Sequence, residues 1–442
     1  MKALLLAAAA LIAAPASAQT GSPQNDTLRG GQTIAITGGT VAIGDGSAPI
    51  PNGTVVVRDG RIVAAGSGVA VPAGAQVVDA TGKWVTAGIT AGIGSLGLVD
   101  AGGVQESNDS GARTSPYNAA IDVSVAINPD AVMIGNERVG GVTRAIVAPD
   151  AGGSIWAGQG AIIDLGSDAS PVTRARAFQF VELGEGGARN AGGSRPAAWV
   201  ALHDALAQAA DYRRSPSAFD GRSKDAILTR ADADALLKVL DGTMPLVVHV
   251  ERASDIRQVL TLPTRYPKLR LILTGATEGW MVAREIAAAR VPVMASALAD
   301  LPISFEQLGA TESNVGRMMQ AGVTVGVLYD GSGGEHVLKQ FAGNLVAIGK
   351  VPGSAGLSWG DAFAAITSKP AQVIGMDGEI GSLRPGRRAD VVLWDGDPLE
   401  LSSAPQAVWI DGRPQPMDSR QRLLRNRYMN VVEGALPKAY DR

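Results

Sequence analysis

The sequence predicts an α/β protein: a (β/α)8 barrel of the TIM type, with a composite β-sandwich formed by its N- and C-terminal flanks. Three observations lead there. Between about Gly88 and Gly375, short apolar runs alternate with helical stretches, as buried parallel strands alternate with crossover helices. That repeat covers roughly the 250 residues a barrel needs, with insertions. On either side of it the pattern changes to short strands punctuated by Asp-Gly turns, Asp59-Gly60 near the start and Asp411-Gly412 near the end.

Taken in chain order, residues 1–18 read as a signal peptide. Lys2 gives a positive start, Ala3 to Ala14 an apolar stretch too short to span a bilayer, and Ala16-Ser17-Ala18 a cleavage site. The expectation is export to the periplasm or the medium, with the mature chain starting at Gln19. Residues 19–85 form the first part of the sandwich, with "GTVVVRDGRIVAAGSG" as its clearest hairpin. Residues 86–375 form the barrel. Its clearest strands are "RAIVAP", "PLVVHV", "RLILTG", "VPVMAS" and "VTVGVLYD", and "TRADADALLKVL" and "GWMVAREIAAAR" are among its helices. The Gly-rich segment from Gly184 to Arg195 reads as a mobile loop. Residues 376–415 return to strand-turn-strand, and residues 416–442 form an arginine-rich helical tail, either a surface helix or a partner-binding arm.

The chain is 46% hydrophobic and 18% charged, the balance of a packed globular protein. Its net charge of -3 offers no basic surface for nucleic acid. Past the leader, no run approaches a membrane span. With no cysteine, disulfides, thiolate metal sites and cysteine nucleophiles are excluded.

The phrases "NGTVVVRDGRIVAAG", "GKWVTAGIT", "IGSLRPGRRADVVLWDGDPLE" and "AVWIDGR" together resemble the amidohydrolase superfamily, and more closely its imidazolonepropionase-like secreted branch. The resemblance runs from about Thr33 to Arg413. It implies a composite sandwich beside a distorted barrel, and hydrolysis of C–N bonds other than ordinary peptide bonds with one or two divalent metals, often zinc. It also implies a His-x-His pair on the first barrel strand, a Lys or Glu on the third or fourth, histidines on the fifth and often the sixth, and an Asp on the eighth. Here the first-strand phrase is "TAGITAGIGS". Ile93 and Ser95 stand at the two histidine positions, and Ala91 at the usual Asp.

Residues i and i+2 of a strand share a face, and in a barrel that face looks inward. Ile93 has no lone pair to offer there, and Ser95 only a neutral hydroxyl. A zinc site wants about three protein ligands plus water, and without the metal the water is not acidified toward neutral pH. The residual metal candidates implied by the resemblance are His249 at the fifth-strand position, Asp330 at the eighth and Glu185 at the bridging position. Asp330 is also the candidate catalytic residue. Each has a plainer reading: a strand-end histidine with a hydrogen-bond partner, an Asp accepting N–H bonds from its own turn, and a loop glutamate. His203 reads as a helix packing residue, and His336 opens a helix after the Asp330 loop, from which it could reach the mouth. A Ser95–His249–Asp330 triad has the right residue types, but "GIGSLG" lacks the G-x-S-x-G elbow. Gly92, Gly94 and Gly97 lack the spacing of a dinucleotide fingerprint.

Three functional classes follow. The first is a metal-dependent hydrolase of small amide-like substrates with a reduced site. The second is a non-catalytic barrel that binds a ligand or pairs with an active paralogue or a second copy. The third is a hydrolase with a metal-free mechanism. The expectation is weak or absent activity, with one divalent metal such as zinc implied only by the resemblance.

Overall fold

The computed structural model describes residues 33–219, 226–329 and 334–429. The signal peptide expected at 1–18, Asp330 and the end of the tail fall outside these residues.

The N-terminal flank supplies β1 (Thr33–Ala42), β2 (Ile50–Arg58), β3 (Arg61–Gly66), β4 (Gln76–Asp79) and β5 (Trp84–Ala87). The barrel strands are β6 (Ile89–Gly94), β7 (Val142–Val147), β8 (Trp156–Asp164), β9 (Val172–Glu182), β10 (Leu246–Val250), β11 (Leu271–Gly275), β12 (Val293–Ser296) and β13 (Val325–Leu328). The C-terminal flank supplies β14 (Val391–Trp394), β15 (Pro405–Ile410) and β16 (Arg413–Pro414).

The two flanks meet in one mixed sheet, ordered β16-β15-β14-β5-β1-β2-β3, with β4 also paired to β1. The seam is antiparallel pairing of β5 with β14, Val391 opposite Ala87 and Trp394 opposite Trp84. The two flanks thus join as expected into one composite β-domain beside the barrel, hydrogen-bonded as one mixed sheet with its own core, including Ile36, Val55, Val85 and Leu393. Both Asp-Gly turns have the left-handed backbone that two-residue hairpins require: φ is 50° at Asp59 and Asp411, and 73° at Gly60 and Gly412.

The barrel strands follow one another in order from β6 to β13. All neighbours are parallel except around β8, which runs antiparallel to both β7 and β9. The connections explain this. Only residues 148–155 and 165–171 separate β8 from its neighbours, and a parallel crossover needs a dozen or more. Seven of the strands send a residue inward to a common core, among them Ile146, Phe178, Val247, Met294 and Leu328, and residues 371–380 close its lower end. At Gly92 an added Cβ would lie 2.7 Å from both Leu328 Cβ and Met294 Cε, so glycine is what lets β6 and β13 approach and nearly close the barrel.

Helices form the outer layer. Among them are α1 (Val132–Val139), α2 (Glu185–Asn190), α3 (Arg195–Arg214) and α4 (Arg230–Leu240), of which α2 and α3 brace the mouth. The segment expected as a loop at 184–195 therefore contains a helical turn. Gly187 seats it, because a Cβ there would fall 2.0 Å from the Glu182 carbonyl oxygen. Ser194 then caps α3 by accepting the Ala197 N–H. In the tail, residues Arg420–Met429 form an exposed helix. Among the described residues no helix is long and apolar enough to cross a membrane.

Candidate functional site at the barrel mouth

A cavity of about 310 Å³ opens where the parallel strands end. Ile93 and Ser95 both line it, as their two-residue spacing requires, and so do His249 and Glu251 from the end of β10. Its apolar lining includes Ile93, Phe180 and Leu328, its polar lining Glu251, Asp150, Thr274 and Thr277. Thr274 lies directly across from His249 in the β10–β11 pairing, so a threonine holds the sixth-strand position.

His249 sits between two carboxylates. Its Nε2 is 3.2 Å from Glu251 Oε1. Its Nδ1 is 2.7 Å from Glu182 Oε2, an ion-pair contact lacking hydrogen-bond alignment. Burial alone would lower the imidazole pKa. Glu182 and then Glu251 outweigh it and hold His249 well above its ordinary value. Glu251 is buried, and burial would raise its carboxyl. The bonds from His249 and from the Thr277 N–H, at 2.8 Å, hold it below the usual range instead. Room for Glu251 is made at Gly275, where a Cβ would lie 2.6 Å from Oε1.

A second layer braces this one. Glu306, on the segment after β12, accepts the Glu185 N–H at 2.8 Å and an Arg195 N–H at 2.9 Å. Arg195 also reaches Asp255 at 2.8 Å. Burial raises the Glu306 carboxyl above its ordinary value.

Of the residues singled out from the sequence, Ile93, Ser95 and His249 come together at the mouth. Glu185 opens α2, and the carboxylate beside His249 is that of Glu182, three residues earlier. Asp330 lies outside the described residues. His203 stacks on Tyr266, its Nδ1 3.1 Å from the phenol oxygen. His336 turns to α1 instead, its Nδ1 3.1 Å from Glu137 Oε2. Glu335 is buried beside it behind β6, against Gly94, where a Cβ would lie 2.9 Å from Oε1. Burial, reinforced by Glu137, pushes Glu335 up to about 8.

Sequence reasoning missed Glu182, Glu251 and Glu306. Glu251 carried a usable signal, since in "HVE" it shares His249's strand face.

The described residues do not fit a zinc ion of the kind the resemblance implies. Ile93 donates nothing, Ser95 is a neutral hydroxyl, and both His249 nitrogens face carboxylates, which favours the protonated ring with no lone pair free. Among the described residues, no three His, Asp or Glu side chains converge as a metal site needs.

The amidohydrolase family model matches residues 230–415. The chain is 24% identical over 388 residues to amidohydrolase tasK of Hapsidospora irregularis, covering 78% of this chain and 38% of that protein. It is 35% identical over 118 residues to an imidazolonepropionase of Maricaulis maris, covering 26% of this chain and 27% of that one. The matches thus span well under half the length of these curated relatives. Among solved structures, an amidohydrolase from Thermotoga maritima superposes with a TM-score of 0.77 at 22% identity, covering 86% of this chain and 99% of that one. Molinate hydrolase superposes with a TM-score of 0.54 at 18% identity over 94% of this chain and 99% of that one. With the barrel, the joined flank sheet, the family match over residues 230–415 and these relatives, the chain is similar to the amidohydrolases in fold and in the sequence of its C-terminal part.

Proposed function

We propose that the barrel mouth binds a small amide-like ligand and that metal-assisted hydrolysis there is weak or absent. The observation that carries this reading is that Ile93 and Ser95 line the cavity at the two positions where the resemblance expects histidines. The shared fold supplies the pocket and its place, but function lives in the site. Hydrolysis at neutral pH needs a nucleophile stronger than bulk water, and the described mouth offers a hydrocarbon, neutral hydroxyls and a histidine flanked by carboxylates.

Elemental analysis after expression with excess zinc tests the reading. The expected result is well under one zinc per chain, with amide hydrolysis at background and unchanged by His249→Ala. The double substitution Ile93→His/Ser95→His restores two imidazoles on one strand face and is expected to raise zinc content severalfold. A stoichiometric metal in the unaltered chain, lost together with amidase activity in His249→Ala, would mean a working metal hydrolase.

A further inference from the structure

We propose that the mouth selects a small primary amine with an apolar body, its ammonium set against Glu251 and its hydrocarbon against Ile93, Phe180 and Leu328. This rests on the binding reading above and names the ligand class for that same cavity.

The charges that line the cavity favour one sign. Glu251 and Asp150 line it with His249, and Glu182 stands on the other side of the His249 ring. The mouth thus sets three carboxylates, two of them against the imidazole itself, against one cationic ring. No lysine or arginine lines the cavity among the described residues. The guanidinium of Arg195, in the bracing layer, is held by Asp255 and Glu306. An incoming carboxylate or phosphate would meet repulsion inside a cleft with low-dielectric walls, whereas an ammonium would meet attraction.

Shape agrees with charge. A cavity of about 310 Å³ is at the small end of ligand sites. Its lining combines apolar residues (Ile93, Phe180, Leu328) with carboxylates (Glu251, Asp150), which suits a compact hydrocarbon with one charged end. Glu251 is rigid: its Oε2 accepts the Thr277 N–H and its Oε1 faces His249, so the carboxylate is placed before any ligand arrives. A preplaced acceptor loses little entropy on binding.

Calorimetric titration with three probes sharing one hydrocarbon separates charge from shape: cyclohexylmethylamine, cyclohexylmethanol and cyclohexanecarboxylate. The amine is expected to bind about tenfold or more tightly than the alcohol, the increment of a charge-assisted hydrogen bond, and the carboxylate not at all. Glu251→Gln should remove most of that preference. Because Glu251 also braces Thr277 and His249, two further variants at the mouth keep the test independent of folding. Asp150→Asn, at an exposed residue, should weaken the amine severalfold and leave the alcohol unchanged. Ser95→Lys should abolish amine binding and admit the carboxylate. Equal affinity for amine and alcohol, preference for the carboxylate, or no binding of any probe by the folded chain would overturn the assignment. If the chain takes up no zinc and shows no amine preference, only the ligand class falls. Zinc that binds stoichiometrically, displaces the amine and brings amide hydrolysis overturns both readings.

Discussion

The surroundings of Glu335 oppose its ordinary charge. It is buried, its Oε2 has no hydrogen-bond partner among the described residues, and Glu137 lies close enough to disfavour a second negative charge. Its carboxyl is raised from 4.5 to about 8 in the fold. Below the unfolded value both states hold the proton, so nothing is lost. As pH rises from there toward 8 the unfolded chain releases the proton while the folded chain keeps it, and stability falls. His336 acts in the same direction, because Glu137 holds its imidazole above the ordinary value, and that contribution is also lost as pH rises. Glu335→Gln removes the carboxyl's share. The variant is expected to match the parent near pH 4.5 and to be more stable by about 1 kcal/mol or more at pH 8, read as melting temperature against pH. A variant no more stable than the parent at pH 8 would mean the carboxyl is ionised in the fold. None of this was legible in "GGEHVLKQF", where His336 drew attention for its reach toward the mouth. Sequence gives the residue types but not which helix covers them, and it is α1 that brings Glu137 to this place. Ile93 and Ser95 were legible because a two-residue period fixes their face wherever the strand sits.

At the scale of the element, short connections decide direction and caps decide position. β8 and β9 escaped the reading of apolar runs for a physical reason. β8 is built on Ala and Gly, and the first half of β9 is exposed around Arg174 and Arg176, so neither shows a continuous hydrophobic stretch. Gly160 is the telling residue: a Cβ there would fall 2.0 Å from the Phe178 ring, so the glycine that weakened the strand signal is what admits the aromatic to the barrel core. The start of α4 was more legible. Thr229 and Asp232 form a reciprocal capping box, Thr229 accepting the Asp232 N–H while Asp232 accepts the Thr229 N–H. Asp232 does more than cap, since its Oδ1 also accepts the N–H groups of Asn118 and Ala120 at 2.9 and 2.8 Å. Thr229→Ala should therefore cost about 1 kcal/mol, an ordinary cap loss. Asp232→Ala should cost clearly more, because it also strands two loop donors. Urea unfolding of the two variants compares them directly, and equal losses would show that the loop donors find other partners.

Across the whole molecule, barrel and flank sheet are fastened at one buried guanidinium. Arg144 on β7 is fully buried; it donates to Asp390 at 2.8 and 3.0 Å, to Asp411 at 2.7 Å and to Thr173 at 2.8 Å. Asp390 and Asp411 belong to the C-terminal flank, beside β14 and in the β15–β16 turn, so the network crosses from one layer to the other. The chain itself crosses close by, because only Gly88 separates β5 from β6. A Cβ at Gly88 would lie 2.1 Å from Thr143 Oγ1. Burial would lower the Arg144 pKa, but Asp390, Asp411 and Asp164 together raise it, so the guanidinium stays charged. The cost of removing it comes mainly from what it leaves behind: a buried Asp390 with no cation. Arg144→Met is expected to destabilise by about 3–5 kcal/mol. Arg144→Lys should recover only part of that, because a point charge cannot grip Asp390 with two parallel N–H groups. The decisive variant is the pair. If the orphaned carboxylate is the main penalty, Arg144→Met/Asp390→Asn should be more stable than Arg144→Met alone, a coupling readable as a shift in urea midpoint. Additive losses would instead place the value of Arg144 in its packing and its other partners. Because the strands on either side of Gly88 tie the layers covalently, the loss should appear as one cooperative transition at lower urea, not as a flank sheet that melts away first.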